Sequence, residues 1–175
     1  MLEIIGDIWQ PETWQRADRK NLTQITCNTR LWLCITTNGC IRKDGRAVMG
    51  AGIARQARDR YHGIERVLAE KLKRRGNQVN YLIRLIEYGN HAHLFSFPTK
   101  NNWRMNSPIE LIEDSAKQLK YLWQRATQRY GEPPIVVLPQ PGCSNGNLVW
   151  SSQVKPLLEI ILDAPEFWII SPPGN

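Results

Sequence analysis

The sequence predicts a three-layer α/β/α domain around a mixed central sheet. Three observations point there. Short apolar runs of strand type alternate with segments of helical periodicity, two glycine-rich turns each lead from such a run towards a helical stretch, and two strand-like runs meet at Gly89-Asn90, a hairpin signal. With 175 residues and 42% hydrophobic side chains the chain can bury one good core but not two, so residues 1–175 read as a single domain.

In chain order, Leu2 to Trp9 reads as the first strand and Leu31 to Thr37 as another. Helices follow at about Gly52 to Tyr61 and Ile64 to Arg74, where apolar residues return every three or four positions. Tyr81 to Tyr88 and His91 to Phe97 are strands on either side of the Gly89-Asn90 turn. Ser107-Pro108-Ile109-Glu110 then reads as an N-cap, a first-turn proline and a capping-box glutamate for a long helix that carries Ile109, Ile112, Ala116, Leu119 and Trp123 on one face. Gly131 and Pro133 stop it. A strand from Ile135 to Pro139, a helix from about Ser152 to Leu162 and a strand from Glu166 to Ile170 complete the pattern.

The two glycine turns carry the functional signal. Met49-Gly50-Ala51-Gly52-Ile53-Ala54 follows the second strand, and Gly142-Cys143-Ser144-Asn145-Gly146-Asn147 follows the strand at Ile135. A strand that ends in glycines at a helix N-terminus offers unpaired backbone N–H groups and the positive end of the helix dipole, and glycine lets a phosphate approach the backbone closely. Two such turns in one domain predict a clamp on a diphosphate. A valine at Gly52 or Gly146 is expected to block that approach while the fold survives.

Charge and cysteine usage narrow the classes. Between Arg42 and Arg75 stand eleven Lys/Arg and four Asp/Glu, a surplus that equals the +7 net charge of the whole chain. Such a segment attracts a nucleotide or a nucleic-acid backbone, with Arg42, Lys43 and Arg46 nearest the first glycine turn, while Lys71 to Arg75 also suits a helix C-terminus. The four cysteines lack a CxxC pair, so reduced and mostly buried thiols are expected, with no disulfide frame and no metal. His91 and His93 share a strand face without a third ligand beside them. The seven tryptophans are scattered and read as core or rim rather than as a stacking platform. There is no GxxxxGK[ST], and the first turn is not GxGxxG, which argues against an ATPase and a dinucleotide oxidoreductase. No apolar run is long enough to span a membrane and no leader pattern opens the chain, so a cytoplasmic protein without membrane contact is expected.

These residues, taken together, resemble the macro domain family, whose members bind ADP-ribose. The resemblance runs over nearly the whole chain: Gly6-Asp7-Ile8 after the first strand, Asn38 after the second, the MGAGIA turn, and Pro139-Gln140-Pro141-Gly142-Cys143-Ser144-Asn145-Gly146 leading to Trp150. Phe97-Pro98-Thr99-Lys100 followed by Trp103 is similar to the subfamily that includes antitoxin macro domains, which reverse ADP-ribosylation of DNA. The resemblance implies a macro domain fold over residues 1–175 and a ligand site formed by Asp7, Ile8, Asn38, Met49, Gly50, Ala51, Gly52, Ile53, Gly142, Cys143, Ser144, Asn145, Gly146 and Asn147. Asp7 would accept from the adenine amino group, Asn38 would hold the distal ribose, and the amides of Gly50, Gly52, Ser144, Asn145 and Gly146 would meet the diphosphate. Without the family, Asp7 reads as a turn or cap residue and Asn38-Gly39 as an ordinary turn dipeptide.

Lys100 is the implied catalytic residue. An amine beside the anomeric carbon of the distal ribose could attack it, or form a Schiff base with the ring-opened aldehyde. Two departures bear on this. A glutamate-directed branch of the family carries a catalytic aspartate in the second loop where Gly146 aligns, and the antitoxins have a shorter segment in place of Cys40 to Val48. Three functions therefore stay open: a hydrolase that removes ADP-ribose from a macromolecule, nucleic acid among them; a reader that binds ADP-ribose without turnover; and a basic nucleic-acid-binding protein that shares the fold. No cofactor is implied, and the sequence supplies no toxin partner.

Overall fold

The computed structural model describes residues 1 to 174. The strands are β1 (Leu2–Ile5), β2 (Gln15–Arg16), β3 (Leu31–Asn38), β4 (Asn80–Arg84), β5 (Ala92–Lys100), β6 (Ile135–Pro139) and β7 (Phe167–Ser171). The helices are α1 (Gly52–Arg60), α2 (Ile64–Arg75), α3 (Ile109–Tyr130) and α4 (Lys155–Ile161). The seven strands form one sheet in the order β2-β1-β7-β6-β3-β5-β4. β1, β7, β6, β3 and β5 are parallel, and the edges β2 and β4 run antiparallel to their neighbours.

Strand alternation builds the three layers. On β3, Leu31, Leu33 and Ile35 face α1 and α2 and join Ala54, Ala57, Leu68 and Leu72 in one apolar cluster. Trp32 and Cys34, one residue out of phase, face α3 and α4 and join Ile112, Ala116, Leu119 and Leu158 in the other. A strand buried on both faces needs a near-continuous apolar run, which LWLCI supplies. The five parallel strands place all their carboxyl ends along one edge of the sheet, the edge at which open α/β sheets bind ligands.

Four local expectations need correction. β1 stops at Ile5 rather than Trp9, because the Asp7 carboxylate accepts the Trp9 N–H and the chain turns, and a Cβ at Gly6 would stand 2.8 Å from the Trp14 ring. The segment after Arg84 is not strand to Tyr88 but a 3₁₀ turn at Ile86–Tyr88. Ser107 does not cap α3: Pro108 takes the cap position in extended conformation, and the buried Ser107 hydroxyl finds no partner among the described residues. The helix after the second glycine turn opens with a wide π turn, Trp150–Val154, before α4 begins at Lys155.

Candidate functional site

Both glycine loops, Asn38 and Lys100 converge on one cleft at the carboxyl edge of the sheet. Its main lobe, about 660 Å³, has the size of small-molecule sites and is walled by Asn38, Gly50, Ala51, Gly52, Ile53, Lys100, Gly142, Cys143, Ser144, Asn145 and Gly146. A second lobe holds Asp7, Ile8, Trp9 and Arg60, and shares Ile53, Gln56, Pro139, Ile170, Ser171 and Pro172 with the first. Two expected ligand residues do not line either lobe. Met49 is 2% exposed and belongs to the core under α1 and α2, and Asn147, at φ 61°, donates its side-chain amide to Asn106 Oδ1 at 2.7 Å.

The loops present their backbone as the chemistry requires. Gly52 sits at φ +53°, a conformation that side chains rarely adopt, and the N-cap position of α1, Ala51, supplies no side-chain oxygen. The first amides of that helix therefore stay open to an anion. In the second loop, no described residue accepts from the N–H groups of Cys143, Ser144, Asn145 and Gly146. These are loop amides rather than a helix end, since the π turn and α4 start further along. Gly146 is fixed from below: its carbonyl accepts the Ser107 N–H at 3.0 Å, and a Cβ there would overlap the Ser107 hydroxyl and the Gly142 carbonyl. An acidic side chain at this position has no room in this backbone.

Lys100 ends β5 opposite Asn38, because the β3–β5 register shifts between Thr37 and Asn38 and takes up one extra residue on β5. Its backbone is held firmly. The Lys100 carbonyl accepts from Gly39 N at 3.1 Å and Asn77 Nδ2 at 2.9 Å, the Thr99 hydroxyl donates to the Thr37 carbonyl, and Ser115 on α3 donates to the Pro98 carbonyl at 2.8 Å. The Lys100 amine crosses the cleft and donates to the Asn145 carbonyl. Among the described residues that line the main lobe there is no carboxylate.

Asp7 occupies the far lobe. One oxygen, Oδ1, accepts the Trp9 N–H at 2.9 Å, and Thr13 Oγ1 accepts the Asp7 N–H at 2.9 Å. Its second oxygen takes no bond from the described residues and is free for a ligand. Asn38 serves the scaffold first: its amide donates to the Val48 carbonyl and its oxygen accepts the Cys40 N–H, both at 3.0 Å, which closes the segment from Cys40 to Val48 into a small hairpin with Ile41 opposite Ala47. That hairpin carries Arg42, Lys43 and Arg46.

The remaining candidates lie elsewhere. His91 and His93 stand at the opposite end of β5, where His93 packs edge-on to Tyr81. Only Cys34 of the four cysteines is buried, and burial drives its thiol pKa well upward; Cys27 is exposed, and half-burial pushes Cys143 up to about 11. Sequence reasoning missed Gln56, Gln140, Trp103 and Pro172 as cleft walls. Of these, Trp103, directly after the FPTK motif, and Gln140, inside the second glycine motif, carried a signal.

No protein-family model matches the chain. A curated DNA ADP-ribosyl glycohydrolase from Thermus aquaticus is 28% identical over 133 residues, covering 73% of this chain and 35% of that protein. Among solved structures, the macrodomain of Thermus aquaticus DarG superposes with a TM-score of 0.64 at 22% identity, over 97% of this chain and 95% of that one. The macrodomain of Mycobacterium tuberculosis DarG gives 0.59 at 24% identity over 89% and 96%. Thermosipho africanus DarTG, solved in complex with ADP-ribose, gives 0.64 at 20% identity over 83% of this chain and 38% of that one. The chain thus spans little more than a third of the curated relative and of DarTG, and it has the fold of the DarG macrodomains.

Proposed function

We propose that this chain, a macro domain by its fold and its two glycine loops, binds ADP-ribose along the cleft and hydrolyses the bond between the distal ribose and a macromolecular acceptor, with DNA as that acceptor. The observation that carries the reading is the meeting of Lys100 with the second glycine loop: an amine is held in the lobe walled by both glycine loops, and the adjoining lobe offers a free carboxylate oxygen on Asp7. DNA is chosen because it is the substrate in the name of the Thermus aquaticus relative.

In this reading Asp7 accepts from the adenine amino group, and the open amides of the two loops neutralise the diphosphate. The distal ribose then lies between Asn38 and Lys100. The Lys100 amine, once neutral, attacks the anomeric carbon; the carbon–acceptor bond breaks, its electron pair and a proton leave with the acceptor, and water displaces the lysine to release ADP-ribose. Condensation with the ring-opened aldehyde is the alternative covalent route, and it differs by leaving an imine that borohydride can reduce. Among the described residues the main lobe, where Lys100 stands, supplies no carboxylate to take the proton, so solvent or the leaving group must carry it. Incubation with an ADP-ribosylated oligonucleotide and an ADP-ribosylated protein, followed by chromatography of released ADP-ribose, tests the proposal. Release from DNA supports it; binding of ADP-ribose without release from any substrate would leave a reader.

A further inference from the structure

We propose that Trp103, with Arg104 packed on its ring, is the surface on which a base of a single-stranded nucleic-acid acceptor stacks while the ADP-ribose lies in the cleft. This rests on the hydrolase reading above and names what receives the acceptor. Four of the seven tryptophans are buried in the core and two are half-buried, whereas Trp103 is 49% exposed and still lines the cleft beside Lys100. A large aromatic left in water at the mouth of a site gains nothing from the fold. Half of its surface remains open to a ligand.

The loop that carries it is a fixed turn. Asn101 O lies 3.5 Å from Cys40 Sγ at the base of the 40–48 hairpin, Asn102 accepts Arg104 N at 3.0 Å through its side chain and Met105 N at 3.1 Å through its carbonyl, and Asn106 accepts from Asn147 of the second glycine loop at 2.7 Å. Trp103 is thus positioned against both walls of the cleft before any acceptor arrives, and stacking costs little further ordering.

Charge decides the class of partner. The Arg104 guanidinium sits 4.9 Å from the Trp103 ring centroid, close enough to reach a phosphate beside a stacked base. The adjoining hairpin adds Lys43, which makes no ion pair among the described residues, and Arg46, whose pairing with Asp44 is long at 3.9 Å. An aromatic face flanked by cations suits unpaired bases on a polyanionic strand. Duplex bases already stack on each other and offer Trp103 no face.

The test is fluorescence anisotropy of a labelled, unmodified single-stranded DNA oligonucleotide and its RNA counterpart, titrated with the whole chain with and without saturating ADP-ribose. Trp103→Ala should weaken binding of one or both by about tenfold or more, the usual size of one base stacked on an aromatic ring, and Trp103→Phe should recover most of it. The same strand annealed into a duplex should show no dependence on Trp103. Wild-type oligonucleotide affinity in a Trp103→Ala protein that is folded by circular dichroism would overturn the proposal, as would a wild type that binds neither strand. An equal loss for free ADP-ribose in Trp103→Ala would assign the ring to the nucleotide and overturn it too. Failure of the wild type to bind ADP-ribose in calorimetry is a separate result that defeats the hydrolase reading, and the oligonucleotide titration without nucleotide still reports on Trp103.

Discussion

Asp7 divides its carboxylate between the fold and the ligand. Oδ1 accepts the Trp9 N–H and turns the chain out of β1, and the other oxygen, which takes no bond from the described residues, is the one that would meet the adenine amino group in the proposed function. Asp7→Ala would remove both contributions at once. Asp7→Asn keeps the turn, since its carbonyl oxygen can still accept, and replaces only the free acceptor by a donor. Its expected cost is about 1–3 kcal/mol in ADP-ribose affinity, with a much smaller change for ribose 5-phosphate. Calorimetry on both ligands checks it, and equal losses would remove Asp7 from the adenine. The sequence pointed to Asp7, Asn38 and Lys100 by motif, but it could not show that each Asn38 side-chain atom gives one bond to the 40–48 hairpin, leaving one N–H and one lone pair, or that Met49 is core. Those facts depend on packing between segments distant in the chain.

At the scale of elements, Gly50 is the position in the two glycine loops that tolerates a side chain, whereas Gly52, held at φ +53°, and Gly146 do not, so the valine expected from sequence to leave the fold intact at Gly52 would strain it. A Cβ on Gly50 meets nothing within 4 Å, so Gly50→Val should fold and yet weaken ADP-ribose binding by intruding where a phosphate meets the backbone. A folded Gly50→Val with native affinity would contradict the clamp. Gly146→Val, expected from sequence to be equally clean, instead collides with the Gly142 carbonyl and Ser107, and should lower the melting temperature as well as binding. Strand β5 offers a second readable element. Burial first, then the nearby Arg84, His91 and Arg30 charges, hold the His93 pKa below its ordinary 6.5. The unfolded chain then takes up this proton before the folded one does, so the contribution of His93 to stability is full above about pH 6.5 and is lost as pH falls through the folded value. Thermal melts from pH 7.5 to 5 should decline less steeply for His93→Gln than for the wild type. β3, β6 and the long α3 were legible because continuous apolar runs and helical spacing are local; the Ser107 cap failed because Gly146 accepts the Ser107 N–H, Pro108 takes the cap position and the buried hydroxyl makes no bond among the described residues.

Across the whole molecule, function follows from strand direction. Five parallel strands send Asp7, Asn38, Lys100 and both glycine loops to one edge, and the α1–α2 layer carries the basic surplus on the same side as the first loop. Several of those cations are already paired, as Arg42 is with Asp44 and Glu65 and Arg58 with Asp59, whereas Lys71, Lys73, Arg74 and Arg75 form no ion pair among the described residues. The summed field would draw an anionic ligand towards a cleft whose one basic lining group in the main lobe, among the described residues, is Lys100. Lys100→Ala and the wild type should be compared on the same ADP-ribosylated oligonucleotide, with free ADP-ribose binding measured alongside. The variant should release no ADP-ribose while its affinity for the free ligand stays close to that of the wild type, because the amine acts at the bond being broken. Release at the wild-type rate by Lys100→Ala would contradict the catalytic role of Lys100.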